Sequence, residues 1–350
     1  MNAPASLQQV MAQGLDEYSH RHHLTPHQWQ VCHHVLQCRT EALGGLKLQC
    51  DHCGYEPTVY HACRDRHCPR CQRQATEDWC EKQKASVLAV RYHHMVFTLP
   101  HELNAWAETY PKVIYSLLFE TVWATLKAFA EDPKRLDGQM GCTAVMHTWG
   151  QALMRHVHLH ILAPGGAVDN DGNWHPACEA YLFPVKALSK RFRGGFVSRL
   201  RERIQAGEMP TIEREADEML NKLMQKDWVV YSKPVLHDTD DVVDYMGRYT
   251  HRIALSDSRL HPGVHGEIQL DYLDYRDQKR KRMVLENEEL IRRFLLHVLP
   301  KGFMRVRHYG FLANCCRGKK LPTIREGIER QNTEPQTPAP VSATHAEGRV

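Results

Sequence analysis

The sequence of 350 residues has no apolar run that approaches the roughly 18 uncharged residues needed to span a membrane. It lacks the G-x-x-x-x-G-K-[S/T] loop that binds nucleotide phosphates, and it has no H-E-x-x-H zinc-hydrolase pattern. Its first twenty residues are polar and include acidic side chains, which is not typical of a secretory signal peptide. We therefore expect a cytoplasmic protein that contacts no membrane and has no ATPase motor of its own.

Cysteine, in contrast, is abundant: twelve are present, and five of them lie between positions 50 and 71. In a reducing compartment such a cluster favours metal binding over disulfide bonds. Each of two C-x-x-C motifs forms a tight turn that directs two thiolates at one point, so together they predict the tetrahedral shell of a structural zinc ion. The predicted zinc ligands are Cys50, Cys53, Cys68 and Cys71. Cys63 and His67 are additional candidates, either of which could replace one of the four.

The segment Arg155–Ala163 reads Arg-His-Val-His-Leu-His-Ile-Leu-Ala and is predicted to be a strand. Because side chains alternate along a strand, His156, His158 and His160 share one face, while the apolar residues between them share the other. The apolar face can pack on a core. A row of three imidazoles on the opposite face predicts a metal site.

A second strand, 142–149, is predicted to pair with this one through a short turn. If the turn centres near residues 152–153, His147 lies directly opposite His158 and points to the same face, whereas a shift of one residue would turn it away. The predicted ligands are His147, His158 and His160, with His156 and His251 as alternatives for the third position. Three protein ligands leave room for water or a phosphate oxygen, which is the layout of a catalytic metal site.

Two tyrosines, Tyr245 and Tyr249, lie four residues apart on a predicted helix, and Arg252 continues the same face. A phenol has a pKa near 10 and therefore needs help to attack at neutral pH. A divalent ion on a phosphate and a nearby arginine would supply that help by polarising the phosphorus and stabilising the developing charge.

Basic residues are concentrated in three clusters, although the net charge of the chain is only +4. The clusters lie at 186–203, 276–282 and 301–307. Beside a histidine-rich metal motif, three such clusters favour a polyanionic partner such as nucleic acid over a merely solvated surface.

Eight motifs in order resemble the IS91 family of rolling-circle insertion-sequence transposases, which belong to the HUH endonuclease superfamily. They are Cys38-Arg-Thr, Cys50-x-x-Cys53-Gly, Cys63-Arg-Asp-Arg-His-Cys-Pro-Arg-Cys71-Gln, Phe97-Thr-Leu-Pro100, His147-Thr-Trp-Gly, His156-Val-His-Leu-His160, Tyr245-Met-Gly-Arg-Tyr-Thr-His-Arg252 and the run from His297 to Phe311. The resemblance covers roughly residues 31–314. It implies that His158-Leu159-His160 is the histidine–hydrophobic–histidine metal motif and that Tyr245 and Tyr249 are the two nucleophiles.

The resemblance also implies an α+β fold, in which a ferredoxin-like catalytic domain has an antiparallel HUH endonuclease-type sheet with flanking helices and follows a small zinc-binding domain. We expect an N-terminal helical segment at 1–45, a zinc-binding knuckle at 46–75, the catalytic domain at 90–320 and a disordered tail at 325–350. Within the catalytic domain, the residue patterns predict further strands at 92–99 and 228–232 and a single helix from about 104 to 130. Structural Zn²⁺ and catalytic Mg²⁺ or Mn²⁺ are the expected metals.

The implied activity is cleavage and rejoining of single-stranded DNA at the element's ends through a 5′-phosphotyrosine intermediate. Unwinding would then depend on a host helicase and the host replication machinery, since the chain has no phosphate loop, and the protein would associate with the nucleoid. Two alternatives stay open: a plasmid rolling-circle replication initiator, which uses the same chemistry, and a non-enzymatic zinc-dependent DNA-binding protein.

Overall fold

The computed structural model describes residues 5–177, 182–235, 239–250, 253–264 and 266–333. The helices are α1 (Leu7–Arg21), α2 (Pro26–Gln37), α3 (Gln72–Lys84), α4 (Asn104–Thr109), α5 (Pro111–Ala130), α6 (Val185–Gln205), α7 (Glu213–Gln225), α8 (Thr239–Thr250), α9 (Asn287–Leu295) and α10 (Arg317–Thr333). The strands are β1 (Gly45–Lys47), β2 (Thr58–Tyr60), β3 (Tyr92–Thr98), β4 (Gly141–Trp149), β5 (Arg155–Pro164), β6 (Gly166–Val168), β7 (Trp174–Pro176), β8 (Val230–Val235), β9 (Leu260–Pro262), β10 (Ile268–Asp274), β11 (Lys279–Leu285) and β12 (Val306–Gly310).

The central feature is a five-stranded sheet in the order β12-β4-β5-β3-β8, in which every neighbouring pair is antiparallel. Four of its strands follow one another along the chain in the order β3, β4, β5 and β8, with α4 and α5 between β3 and β4 and with α6 and α7 between β5 and β8. The strands predicted near 92–99, 142–149, 156–163 and 228–232 are confirmed within about two residues at most ends. The edge strand β12 was not predicted.

The two faces of this sheet have different chemistry because successive side chains alternate. One face is apolar, and its Met95, Phe97 and Leu159 are fully buried in a core that includes α5 and α6. The opposite face carries the histidines, and α8 covers part of it by packing Val242 and Val243 against the sheet. One face of the sheet therefore packs in the core, and the other face can form a functional site.

A second core joins the N-terminal helices to the C-terminal half of the chain. It contains apolar residues of α1 and α2, the buried cysteines Cys38, Cys68 and Cys71, and residues of β9, β10 and α9. Ser6 and Thr25 begin the first two helices with capping boxes, each accepting a hydrogen bond from the backbone of the third helical residue. The N-terminal segment thus packs on residues more than 200 positions away.

The single helix predicted from 104 to 130 is wrong in one respect, since the chain forms two helices, α4 and α5, separated at Tyr110. The backbone of Tyr110 has ψ +53°, and the following Pro111 disfavours a helical conformation for the residue before it. By length and composition alone α5 is apolar enough to cross a membrane. However, 61% of its most apolar window is buried inside the protein, as expected of a core helix.

The predicted disordered tail is corrected for residues 325–333, which belong to α10. Leu321, Ile324 and Ile328 recur at helical spacing, and all three are buried against Trp174 and Phe311. This apolar stripe explains why the helix continues past Ile324. The rest of the predicted tail, 334–350, lies outside the described residues.

Candidate metal centres

The hairpin of β4 and β5 brings the predicted histidines together. Its register pairs His147 directly with His158, as predicted from the position of the turn. The ladder shifts by one residue between His147 and Trp149, and Leu153 in the turn adopts φ +59°. Because the irregularity follows His147 toward the turn, His147 stays on the face shared by His158 and His160.

The three imidazoles converge on one point. His147, His158 and His160 each offer a nitrogen, and these atoms lie within 4.8 Å of one another. The Nε2 atoms of His158 and His160 are 3.1 Å apart. Two nitrogens that each lie about 2.1 Å from one ion are separated by about 3.0–3.4 Å, so this donor set fits a single divalent metal.

Outer hydrogen bonds orient two of these rings, as is common around metal-binding histidines. His158 donates from Nδ1 to the backbone oxygen of His156 at 2.8 Å, which leaves its Nε2 lone pair for a metal. The Nδ1 of His160 lies 2.9 Å from Nε2 of His94, and Nδ1 of His94 lies 2.8 Å from the phenol oxygen of Tyr245. Tyr245 is therefore hydrogen-bonded through His94 to His160, one of the three candidate metal ligands.

His94 is a candidate functional residue that was not predicted from the sequence. It lies in β3, which pairs with β5, and it is 5% exposed. Burial and the nearby Lys233 lower its pKa to about 4, so it is neutral at pH 7. The alternation of Tyr92, His94 and Val96 on one face of β3 was an available signal, but the pairing of β3 with β5 was needed to use it.

A cavity of about 270 Å³ opens beside the histidines. His147, His158 and His160 line it, together with His156 and Arg259. His156, an alternative third ligand, is exposed and is not in the group of three converging nitrogens. The site thus has three protein donors and an accessible side, which suits a metal that must also contact a substrate.

The other predicted site residues are placed only in part. Tyr245 lies on α8, half-buried, with its phenol toward the sheet. The backbone of Tyr249 belongs to the same helix, but its side chain lies outside the described part of the structure. Arg252 and His251 are likewise outside the described residues.

A second cluster consists of four thiols. The sulfur atoms of Cys38, Cys63, Cys68 and Cys71 all lie within 4.8 Å of one another. The Sγ of Cys71 is 3.5 Å from that of Cys38 and 3.6 Å from that of Cys63. Sulfurs bound to one zinc at about 2.3 Å in a tetrahedron lie about 3.8 Å apart, so the cluster fits zinc with no position left open.

This cluster corrects the predicted ligand set. Cys38, at the end of α2, and Cys63, which was predicted as a possible replacement, take the places predicted for Cys50 and Cys53. The C-x-x-C turn at Cys50 and Cys53 instead lies at the exposed tip between β1 and β2. Spacing along the chain suggested that the two C-x-x-C motifs meet, but the fold brings the end of α2 to the second motif.

His67, the other spare candidate, is not one of the four. Its Nδ1 donates to the carboxylate of Asp65 at 3.0 Å, and its Nε2 accepts a hydrogen bond from the backbone of Leu299 at 3.2 Å. Both ring nitrogens are therefore engaged, and His67 is a structural residue that ties the cysteine loop to the segment after α9.

The ionisation of the thiols also favours a cation. A hydrogen bond from the Cys68 thiol lowers the pKa of Cys63 to about 5. The same contact, together with burial, raises the pKa of Cys68, and burial raises that of Cys71. Without a positive charge one thiol ionises at the expense of its neighbours, so a divalent ion is what allows four thiolates to coexist.

The two clusters are physically connected. The segment after α9 contacts the cysteine loop through Leu299, and two residues earlier it contains His297, which is buried. His297 is 3.2 Å from the hydroxyl of Thr148 and donates from Nε2 to the carbonyl of Leu153 at 3.0 Å. Since Thr148 and Leu153 belong to the histidine hairpin, the cysteine loop supports the hairpin through this segment.

Two family models match the chain, at residues 141–320 ("Putative transposase") and 10–99 ("Transposase zinc-binding domain"). "Putative transposase y4qJ" from Sinorhizobium fredii is 42% identical over 313 residues, covering 87% of this chain and 79% of that protein. "Transposase for insertion sequence element IS801" from Pseudomonas savastanoi pv. phaseolicola is 27% identical over 312 residues, covering 86% and 74%. No solved structure is significantly similar to the chain.

The chain belongs to the IS91 family of transposases. The resemblance read from the eight motifs is thereby confirmed. Membership implies a DNA substrate and a DNA-cleaving activity for this IS91-family transposase. The four-thiol cluster lies within the matched zinc-binding domain, and both findings support a structural zinc ion.

Proposed function

We propose that this transposase cleaves and rejoins single-stranded DNA with Tyr245 as a nucleophile beside a divalent metal held by His147, His158 and His160. The observation that carries the proposal is the hydrogen-bonded connection from the phenol of Tyr245 through His94 to His160. It keeps a potential nucleophile within one imidazole of three converging metal ligands. A hydrolase would need no tyrosine at that position.

In the proposed reaction the phenol oxygen of Tyr245 attacks the scissile phosphorus. A bond forms between that oxygen and the 5′ phosphate, and the bond from phosphorus to the preceding 3′ oxygen breaks. The phenol loses its proton, and the departing oxygen takes one up to become a 3′-OH. Mg²⁺ or Mn²⁺, when bound, would polarise the phosphate and offset its charge. The phosphotyrosine retains the phosphodiester's energy, so the reverse attack by a 3′-OH can rejoin strands without ATP.

Tyr249 would serve the second strand transfer, and Arg252 would stabilise charge on the phosphate. Both assignments rest on the family motif and on the position of Tyr249 one helical turn after Tyr245. The topology also supports the proposal. A β-α-β-β-α-β succession with β3 between β5 and β8 is the ferredoxin-like arrangement, and we infer that the catalytic domain has the HUH endonuclease fold.

The surroundings of the cavity suit a DNA strand. Gln151 and Arg259 line both the histidine cavity and a larger one of about 630 Å³, so the two are adjacent. The larger cavity is lined by Arg280, Lys281 and Arg282 of β11. Lys281 is ion-paired with Asp274 and Arg282 with Asp271, so Arg280 is the member of this group that we expect to contact a phosphate of the DNA backbone. Such a protein would act on DNA opened by a host helicase, in the cytoplasm and at the nucleoid.

The four-thiol cluster would hold Zn²⁺ as a structural ion, because four protein ligands leave no position for substrate. A non-enzymatic zinc-dependent DNA-binding protein would not need the open histidine site. A replication initiator shares the chemistry, but both curated relatives are named as transposases, which favours transposition.

The test uses a single-stranded oligonucleotide carrying an element end, incubated with the full-length protein and Mn²⁺. We expect a covalent adduct that survives denaturing electrophoresis. Tyr245→Phe and Tyr249→Phe should each reduce it, and the double variant should form none while still binding DNA. Tyr55→Phe is the matched control, since Tyr55 is exposed at the tip between β1 and β2 and does not line the histidine cavity. An adduct formed by the double variant would contradict the proposal.

A further inference from the structure

We propose that His94 is a positioning residue that joins the metal ligand His160 to the nucleophile Tyr245, fixing the tautomer of the first and the orientation of the second. The inference rests on the proposed roles of the three histidines and of Tyr245, and it concerns a residue that neither the motif nor the metal-binding group contains.

The position of His94 follows from the pairing of β3 with β5. His94 lies opposite Leu162 and His160 lies opposite Val96, so the two histidines are diagonal neighbours on the same face of the sheet. Their rings are nearly parallel, at an interplanar angle of 10° with centroids 5.2 Å apart. The ring of Tyr245 meets His94 at 74° from above, with centroids 5.3 Å apart. Each nitrogen of His94 therefore faces a different functional group.

Metal binding to His160 fixes the direction of each hydrogen bond in the series from His160 through His94 to Tyr245. When Nε2 of His160 binds a metal, its proton must be on Nδ1, and this N–H donates to Nε2 of His94 at 2.9 Å. A neutral imidazole has one N–H, so the proton of His94 is on Nδ1. That N–H donates to the phenol oxygen of Tyr245 at 2.8 Å. Metal binding to His160 thus makes Nδ1–H of His94 the hydrogen-bond donor to Tyr245.

This direction suits an attacking phenol. Because the oxygen of Tyr245 accepts from His94, its own hydrogen points elsewhere, and a donor directed at the oxygen favours negative charge there. The same bond holds the side chain of α8 against the sheet, where a small displacement of a nucleophile is costly to the rate. His94 is 5% exposed and lies in a central strand, so it is a rigid support.

The test exploits two substitutions that each keep one half of the imidazole. The amide of Asn lies near the position of Nδ1 and can still donate to Tyr245. The amide of Gln lies near Nε2 and can still accept from His160. We expect His94→Asn to weaken Mn²⁺ binding by about 10- to 100-fold, the usual effect of losing such an outer partner, and to retain most of the adduct rate at saturating Mn²⁺.

For His94→Gln we expect the reverse: nearly unchanged Mn²⁺ affinity and an adduct rate about 10- to 100-fold lower at saturating Mn²⁺. His94→Ala should lose both. Mn²⁺ affinity is measured on the zinc-loaded full chain without DNA, by the electron paramagnetic resonance signal of free Mn²⁺. The adduct rate is measured in single turnover.

The matched control is His308, which lies on the same face of the sheet in one row with Thr143, Leu162 and His94. It is bonded to the hydroxyl of Thr143 at 3.0 Å. His308→Asn and His308→Gln should change neither quantity by more than about 3-fold, since they remove a comparable buried hydrogen bond without touching the site.

Equal Mn²⁺ affinity in the wild type and in His94→Asn, or equal losses of both quantities in the Asn and Gln variants, would overturn the role of His94. A wild-type protein that binds Mn²⁺ but forms no adduct would instead contradict the proposed function. The two failures are therefore distinguishable.

Discussion

The four-thiol cluster and the three-histidine cluster lie in one chain and are built in opposite ways. The thiols come from the end of α2 and from the loop before α3, and Cys38 and Cys68 are completely buried. The histidines come from one antiparallel hairpin, and they line a cavity of about 270 Å³. The four thiols can occupy every coordination position of a tetrahedral ion, whereas the three imidazoles leave coordination positions of their ion open.

The difference indicates which site is structural and which is suited to chemistry. Zinc binding to four thiolates stabilises the folded state, because the unfolded chain cannot bring four thiolates to one point. An open imidazole shell leaves positions for water and phosphate oxygens, and outer partners such as His94 can tune it. Since the segment containing His297 and Leu299 touches both regions, the closed site can support the open one.

The largest expected effect separates the observed thiol set from the one predicted by spacing. Cys38→Ser should reduce zinc from about one ion per chain to near none and lower the melting temperature strongly, because structural zinc contributes roughly 10–16 kcal/mol in small zinc domains. Cys50→Ser is the matched control and should keep both zinc and stability, since Cys50 is exposed and outside the cluster. Elemental analysis and calorimetry report the two quantities. Zinc lost from Cys50→Ser but kept by Cys38→Ser would restore the pairing of the two C-x-x-C motifs.

The second prediction concerns the open site. His158→Ala should reduce adduct formation by about 1,000-fold or more, since metal assistance is worth several kcal/mol in the transition state. Zinc content and melting temperature should change little. His156→Ala, on the same strand, removes an exposed ring but keeps the backbone oxygen that orients His158, so it should lose less than about 3-fold. Single-turnover rates of the two variants make the comparison, and equal losses would return His156 to the ligand set.

The smallest expected effect concerns the approach of DNA to the open site. Arg280 lines the cavity next to the histidines, whereas the adjacent Lys279 does not. Arg280→Ala should reduce the slope of log affinity against log salt concentration by about 1, the value expected for one lost phosphate contact. Lys279→Ala removes the same charge and should leave the slope unchanged. Fluorescence anisotropy with single-stranded DNA over a salt series measures both, and identical slopes would place the DNA elsewhere.

Local pattern was sufficient for the parts of the site that lie close together in sequence. The alternation of β5 set the shared face of His158 and His160, and the turn length set the partner of His147. Helix spacing likewise located Tyr245 on α8. In each case the controlling interactions span fewer than about fifteen residues, so the sequence contains them directly.

What the sequence could not supply depends on contacts between distant segments. Which thiols meet Cys68 depends on where α2 ends, and α2 is positioned by a core that includes α9. The role of His94 depends on β3 pairing with β5, some 60 residues later. Burial of Ile328 against Phe311 decides the extent of α10 in the same way. Spacing rules alone do not encode such long-range contacts.

We propose that the open histidine site, and not the closed thiol site, activates a tyrosine of α8. The most direct measurement is peptide mapping by tandem mass spectrometry of the protein–oligonucleotide adduct, formed by protein from which a chelator has removed exchangeable metal while the zinc is retained. We expect a nucleotide-modified Tyr245 or Tyr249, seen only after Mn²⁺ or Mg²⁺ is added back. An adduct on a residue outside α8, or the same yield without added metal, would contradict it.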